Sequence, residues 1–298
     1  MARTERPHEV RGARDLATLW WGLPVAVIAY PKSAWSVEDG LATLSDTLRG
    51  RSWREHCVSR TLESCAEQGK DCIHPGNCHG DALFPMKIGG GAPSWRMATL
   101  FVQWRPMLAQ WHLIALGAKA CDSLGWASRC LRERHGLEGG VRLPVSTLAD
   151  LQLAGGQCWE LRFVTPWIVG KGGQADAVTN CEGVTHELRK ALRTRAHKIS
   201  ALCLGEEFIQ RITGHLVHHV ASTLLHQGLV VESAELESAP LALASRGNGS
   251  RFVALTWTGR VKLRVEPAVL PWLSLLALCG GGENADKGFG AVELIPVD

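Results

Sequence analysis

Between Gly280 and Gly290 the chain reads Gly-Gly-Gly-Glu-Asn-Ala-Asp-Lys-Gly-Phe-Gly, five glycines around Asn284, Asp286 and Lys287. So little side-chain bulk lets backbone amides come close to a phosphate chain, and Lys287 adds a positive charge. Gly281, Gly282, Lys287 and Gly288 are the residues placed to make that approach. A nucleotide-binding loop of the Gly-x-x-x-x-Gly-Lys-Ser/Thr kind must follow a strand and open a helix. Here Gly288 follows Lys287, and a short alternating run from Ala291 to Ile295 comes next. A solvated glycine turn with no ligand is the competing reading.

A second group of cations lies just upstream. Arg246 and Arg251 flank Gly247-Asn-Gly249, a loop that a ligand can approach closely. An arginine fork suits a phosphate or its transition state and stays charged at any relevant pH. This pair is the leading candidate for phosphate or catalytic contact. Downstream, Arg260, Lys262 and Arg264 alternate with Val261, Leu263 and Val265, as on the two faces of a strand. No acidic residue occurs from Ser238 to Val265, so this window concentrates positive charge in a chain of net charge +3. Such local accumulation is what a polyanion-binding face requires.

Glu182 to Cys203 projects as a helix at about 100° per residue, with Leu188, Leu192, Ala196, Ile199 and Cys203 in an apolar stripe. His186, Lys190, Arg193 and His197 fall opposite, with Arg189 beside them. That face is either solvated or a second phosphate-binding surface. His215, His218 and His219 share helical spacing but lack the carboxylate of a metal-binding helix motif, which makes them helix surface. Cys57, Cys65, Cys72 and Cys78, with His56, His74 and His79 nearby, offer soft ligands for a structural zinc. Their gaps of seven, six and five residues are not those of zinc knuckles, so no metal is assigned and zinc stays open.

These groups must be carried by a chain of 298 residues with 46% hydrophobic content, enough for one large or two ordinary domains. No apolar run reaches the ~18 residues of a membrane span, and the charged first fifteen residues hold no apolar signal core. A soluble, cytoplasmic protein with no membrane partner is expected. Its ten cysteines then read as reduced thiols. Twelve tryptophans against one tyrosine are scattered rather than periodic, and core packing is the expectation for most of them.

Two halves show one order of elements. The first has an apolar stretch (Leu16 to Tyr30), a helical segment (Val37 to Arg60), the cysteine-rich region, a strand (Met97 to Arg105) and a helix (Leu116 to His135). A glycine turn then leads into Val141 to Val145. The second has a strand (Cys158 to Pro166) and helices over Glu182 to Cys203 and Glu206 to Gln227. A hairpin follows, Arg251 to Trp257 and Arg260 to Glu266 turning at Thr258-Gly259, and then a short helix, the glycine loop and a last strand. Each half approximates β-α-β-β-α-β, so an α+β fold of tandem ferredoxin-like domains is expected. The division falls near Ala154-Gly155-Gly156, giving 1–154 with a cysteine-rich insertion and 155–298 with the basic helix, basic hairpin and glycine loop.

With these elements placed, the chain resembles the repeat-processing RNA endonucleases of CRISPR systems, members of the RAMP superfamily. Leu161-Arg-Phe-Val-Thr-Pro166 is similar to the family's strand ending in Thr-Pro. His186 to Arg195 resembles its basic first helix, and Ala244 to Arg251 with Trp257-Thr-Gly-Arg260 its basic loop and hairpin. Gly280 to Gly290 resembles its glycine-rich loop. In the first half, Leu48-Arg-Gly with the following cysteines, and His135-Gly-Leu-Glu-Gly-Gly140, are similar to segments of some relatives. The type I, III and IV subgroups all stay open.

The resemblance implies metal-independent maturation of CRISPR RNA, as part of antiviral defence. The ribose 2′-hydroxyl attacks the adjacent phosphate and leaves a 2′,3′-cyclic phosphate and a 5′-hydroxyl. That chemistry asks for a base, an acid and cations around the phosphorane. His56 becomes a catalytic candidate beside Arg246 and Arg251, because it ends a basic segment where several relatives carry an active-site residue. The glycine loop, the helix face and the basic strand become RNA-binding candidates. The partners implied are CRISPR repeat RNA, the mature crRNA and other subunits of a CRISPR ribonucleoprotein. A non-catalytic RNA-binding subunit of the same fold is the alternative.

Overall fold

The computed structural model describes residues 18, 20–31, 82–83, 99–171, 179–204, 214–244, 251–282, 285 and 288–297. His56 and the four clustered cysteines lie outside the described residues, as do Arg246 and Lys287.

In the first half, β1 (Val25–Pro31), β2 (Leu100–Arg105) and β3 (Gln110–Leu116) are almost wholly buried. Their near-continuous apolar runs reflect a sheet covered on both faces. β2 turns into β3 through a 3-10 turn at Pro106–Leu108 that closes on Ala109 in the left-handed region. Helix α1 (Ala118–His135) follows and stops at Gly136, whose φ of 62° lets its N–H reach back to the Arg132 carbonyl. Arg132, Arg134 and His135 occupy its last turn, where the helix dipole favours cations. A two-residue β4 (Val141–Arg142) pairs with β1. The antiparallel sheet runs in the order β2-β3-β1-β4.

The second half contains β5 (Cys158–Lys171), α2 (Cys181–Leu204), α3 (Gly214–Gly228), β6 (Leu229–Ala244), β7 (Arg251–Val265), α4 (Leu270–Cys279) and β8 (Val292–Pro296). Its sheet runs in the order β6-β7-β5-β8, also antiparallel. Numbered within its own half, each sheet has the second strand at one edge, the third and first in the centre and the fourth at the other edge. That is the ferredoxin-like arrangement, present twice in one α+β chain.

One expectation is overturned. Thr258-Gly259 is not a hairpin turn: β7 continues through it from Arg251 to Val265 and pairs along its length with β6. Gly259 takes φ 117°, and a Cβ there would lie 2.2 Å from the Glu235 carbonyl oxygen. The glycine therefore permits a close strand approach rather than a reversal. The hairpin is β6–β7, whose terminal pair is Ala244 with Arg251.

α4 (LPWLSLLALC) is apolar on every side, and a helix of that kind must be buried all round. Its one hydroxyl, Ser274, donates to the Leu270 carbonyl and accepts from the Leu153 N–H at 2.9 Å. The main core joins the inner face of the second sheet, α2, α3 and α4 to Trp20, Val25, Val27, Phe101, Ile114 and Leu116 of the first half. Trp20 meets Trp272 edge-on at 5.0 Å and donates to Ser200 at 2.9 Å. A smaller core lies on the other face of the first sheet, against α1. Trp20, Trp159, Trp167, Trp257 and Trp272 are all fully buried, as the core-packing reading of the tryptophans expects.

Candidate functional site: the glycine loop and the charged outer sheet

The connection from α4 to β8 is the glycine loop. Gly280, Gly282, Gly288 and Gly290 all have positive φ, between 62° and 90°. Steric room matters even more at Gly281, where a Cβ would fall 2.1 Å from the Trp167 ring. At Gly290 it would fall 2.0 Å from the Gly281 carbonyl oxygen. The glycines let the loop fold onto itself and onto a tryptophan. Gly281 N–H donates to the Gly290 carbonyl, Gly288 N–H to Ala285, and Gly290 N–H to Pro166. The expected role for Gly281 and Gly288 needs revision in this respect: their amides are spent inside the loop and are not free donors for a phosphate.

Two side chains grip the loop from outside it. Arg195 of α2, 6% exposed, donates from Nε to the Gly280 carbonyl at 2.9 Å. Thr165 of β5, 1% exposed, donates to the Gly288 carbonyl at 2.7 Å and accepts from the Ala291 N–H at 2.9 Å. Thr165 reaches the loop because β5 bulges away from β7 between Phe163 and Trp167, where three β5 residues face Thr258 alone. A third contact comes from the first half, where Arg105 donates to the carbonyls of Ala277 and Val292 at the loop's two flanks. Burial pushes the Cys279 thiol up to about 12 although Arg195 and Arg105 pull it down, so it stays protonated and is no nucleophile.

These grips were missed in the sequence. Arg195 carried a usable signal, a cation beside the apolar stripe Leu188, Leu192, Ala196 and Ile199 rather than opposite it. Thr165 lay in the Thr-Pro segment that carries the resemblance, but no local pattern marked it as a loop contact, because its partners are more than a hundred residues away.

The α2 surface is more divided than its helical projection. His186 and Lys190 are exposed, and Lys190 pairs with Glu187 at 3.3 Å. Arg189, Arg193 and His197 are half-buried. Arg189 donates to the carbonyls of His226 and Leu229 at 3.0 and 2.8 Å, capping the end of α3. Arg193 donates to the Ser222 hydroxyl on α3 at 3.2 Å. The expected opposite face is thus partly a helix–helix seam.

On β7 the alternation holds: Val261, Leu263 and Val265 are buried, and Arg260, Lys262 and Arg264 face out. The acid-free window, however, acquires acids across strands. Arg260 pairs with Glu235 of β6 at 2.6 Å and reaches Glu160 of β5 at 3.9 Å. Arg264 pairs with Glu232 at 3.2 Å, and Arg162 pairs with Glu160. The outer face is a mixed lattice rather than a bare cationic strip. A shallow groove of about 660 Å³ opens there, lined by Arg162, Phe163, Glu235, Leu236, Glu237, Thr258, Gly259 and Arg260.

Arg251 begins β7, with only its backbone described, opposite Ala244. No group of three metal-binding side chains occurs among the described residues, and no helix among them is long and apolar enough to cross a membrane.

No protein-family model and no curated protein matches the chain. Several solved structures are similar to it. A Cas6 product complex aligns over 92% of this chain and 100% of its own at 13% identity, with a TM-score of 0.46. A Thermus thermophilus Cas6 aligns over 92% and 98% at 14% identity, with a TM-score of 0.42. A CRISPR RNA processing endoribonuclease Cas6b aligns over 92% and 99% at 13% identity, with a TM-score of 0.39.

Proposed function

We propose that this protein is a metal-independent endoribonuclease that cleaves CRISPR repeat RNA and keeps hold of the crRNA it makes. The observation that carries the reading is the doubled ferredoxin-like sheet order with a glycine loop entering the last strand of the second copy. Of the segments that resemble the RAMP endonucleases, the Thr-Pro strand lies in β5 and the basic helix in α2, while Trp257-Thr-Gly-Arg260, expected at a hairpin, lies within β7. The two proposed domains are 1–154 and 155–298, packed through a shared apolar core.

In the proposed reaction the ribose 2′-oxygen forms a bond to the adjacent phosphorus while the bond from phosphorus to the 5′-oxygen breaks. The 2′-hydroxyl proton passes to a base and the leaving 5′-oxygen gains one from an acid, giving a 2′,3′-cyclic phosphate and a 5′-hydroxyl. Arg246 and Arg251 stabilise the phosphorane charge, and His56 takes part in the proton transfer. His186 and Lys190 on α2, with Lys262 on β7, supply exposed phosphate contacts. Arg260 and Arg264 join them by exchanging their glutamate partners for phosphates.

The decisive experiment incubates the purified protein with its own repeat RNA in excess chelator. Cleavage to the cyclic phosphate is expected. Loss of cleavage in EDTA with recovery in magnesium overturns the mechanism. RNA binding without cleavage under any condition assigns the protein as a non-catalytic RNA-binding subunit. Arg246→Ala and Arg251→Ala should each slow single-turnover cleavage about tenfold or more, equivalent to about 1.4 kcal/mol, with a smaller effect on binding.

A further inference from the structure

We infer that the first half carries a second RNA-backbone site along the edge between α1 and β4, with Arg132 and Arg142 as its phosphate contacts; this rests on the RNA-processing reading above. Tyr30, near the end of β1, donates to the Ser128 hydroxyl of α1 at 2.6 Å. That hydrogen bond fixes which face of α1 looks towards the edge of the sheet. Cys121 and Arg132 lie seven residues before and four after Ser128, so all three share that face. Burial raises the Tyr30 pKa, and the Ser128 hydrogen bond and the Arg132 charge draw it back, which puts this guanidinium within electrostatic reach of the ring.

Arg142 comes to the same edge from the glycine turn that follows α1. Gly140 lies against Tyr30 and Ile28, where a Cβ would sit 2.7 Å from the Tyr30 ring and 3.0 Å from Ile28. Two residues on, Arg142 is the register partner of Ile28. Cross-strand partners share a face, and Ile28 packs on the α1 side of the sheet. Burial raises the Cys121 thiol pKa and the Arg142 charge lowers it, with Asp122 acting against Arg142. Arg132 thus stands at the Tyr30 end of the edge and Arg142 towards Cys121.

Arg129, Arg132, Arg134 and Arg142 are all exposed, and none forms an ion pair among the described residues. The second sheet is different, since Arg162, Arg260 and Arg264 each hold a glutamate. The helix dipole accounts for Arg132 and Arg134 in the last turn of α1, but not for Arg142 on a strand or for Arg129 a turn earlier. From Ala118 to Arg142 five lysines and arginines face three acids, Asp122, Glu133 and Glu138. An arginine fork with no carboxylate is open to a phosphate. Cations spaced along an edge suit a sugar–phosphate chain better than a single ion.

The test compares Arg132→Gln, Arg142→Gln and the double variant with the wild type in a salt series of repeat-RNA binding, and measures single-turnover cleavage at saturating RNA. The double variant is expected to bind about tenfold more weakly. Its salt slope should be shallower by about 1.4, the release from two contacts on a single strand. Cleavage at saturation should match the wild type, because backbone contacts hold ground and transition states alike. Lys119→Gln removes a charge from the exposed start of the same helix and should change neither affinity nor slope. Should the double glutamine variant not fold, the single Arg142→Gln, away from the helix end, carries the test with half the change in slope. Wild-type affinity and slope in the glutamine variants overturns this inference alone. Equal weakening by Lys119→Gln assigns the effect to net charge and also overturns it. A wild-type protein that does not bind repeat RNA overturns both this inference and the functional reading beneath it.

Discussion

The guanidinium of Arg105, at the end of β2, donates to the carbonyl of Ala277 in the last turn of α4 at 2.8 Å, joining the first sheet to the helix that feeds the glycine loop. The last carbonyls of a helix lack intrahelical partners, and a cation there also answers the helix dipole. The same side chain reaches the Val292 carbonyl at 3.3 Å, so it spans both flanks of the loop.

Arg105→Met should therefore destabilise the protein by about 2 kcal/mol, because two partly buried carbonyls lose a charged donor. Arg105→Lys should cost less, since it retains the charge. Urea unfolding midpoints decide between these outcomes, and equal midpoints for all three proteins would show the bridge to be dispensable.

Glycine positions in this fold differ sharply in tolerance. Gly281→Ala places a methyl 2.1 Å from the Trp167 ring and should cost about 3 kcal/mol or more, by overpacking against a fully buried side chain. Gly156→Ala meets nothing within 4 Å and should be near neutral. Thermal unfolding of the two variants checks the contrast.

His112 gives the protein a pH dependence of known sign. Burial, with a further push from Arg105, lowers its pKa from 6.5 to about 4 in the folded state. Between those values the unfolded chain binds the proton and the folded chain does not, so stability falls as pH drops from 6.5 towards 4 and levels off below. The loss attributable to this one side chain is on the order of 3 kcal/mol. His112→Phe should flatten that part of the curve of unfolding free energy against pH. An unchanged slope in the variant would assign the acid sensitivity to other groups.

Two neighbours on α2 should separate by phenotype. Arg189→Ala removes the cap on α3 and should lower stability by about 1–2 kcal/mol. Lys190→Ala, on the exposed face, should leave stability unchanged and weaken repeat-RNA binding with a shallower salt dependence, because one fewer counterion is released. Measuring unfolding and a salt series of binding on both variants tests the division, and identical profiles would erase it.

Whatever depends on local period was legible in the residues alone. Two-residue alternation put Val261, Leu263 and Val265 inside β7 and its cations outside, and the helical stripe of α2 was correct at Leu188, Leu192, Ala196 and Ile199. The position of the glycine loop between an apolar helix and a final strand was equally legible; the doubled ferredoxin-like order was also expected, although β3 and β6 were not read as strands and β7 was read as two. Tertiary structure decided what depends on partners distant in the chain. Thr258-Gly259 has the composition of a turn, yet β6 pairs across it and Gly259 serves close approach. The stretch from Ser238 to Val265 contains no acid, yet Glu160, Glu232 and Glu235 arrive on adjacent strands to pair with its arginines. Arg189 looks solvated on a helical projection, but the end of α3 and the start of β6 bring it the carbonyls of His226 and Leu229. The loop glycines read as open amides, but most of their positions are dictated by Trp167 and by the loop's own return. A pattern along the chain reports which face a side chain takes; only the fold reports what stands opposite it.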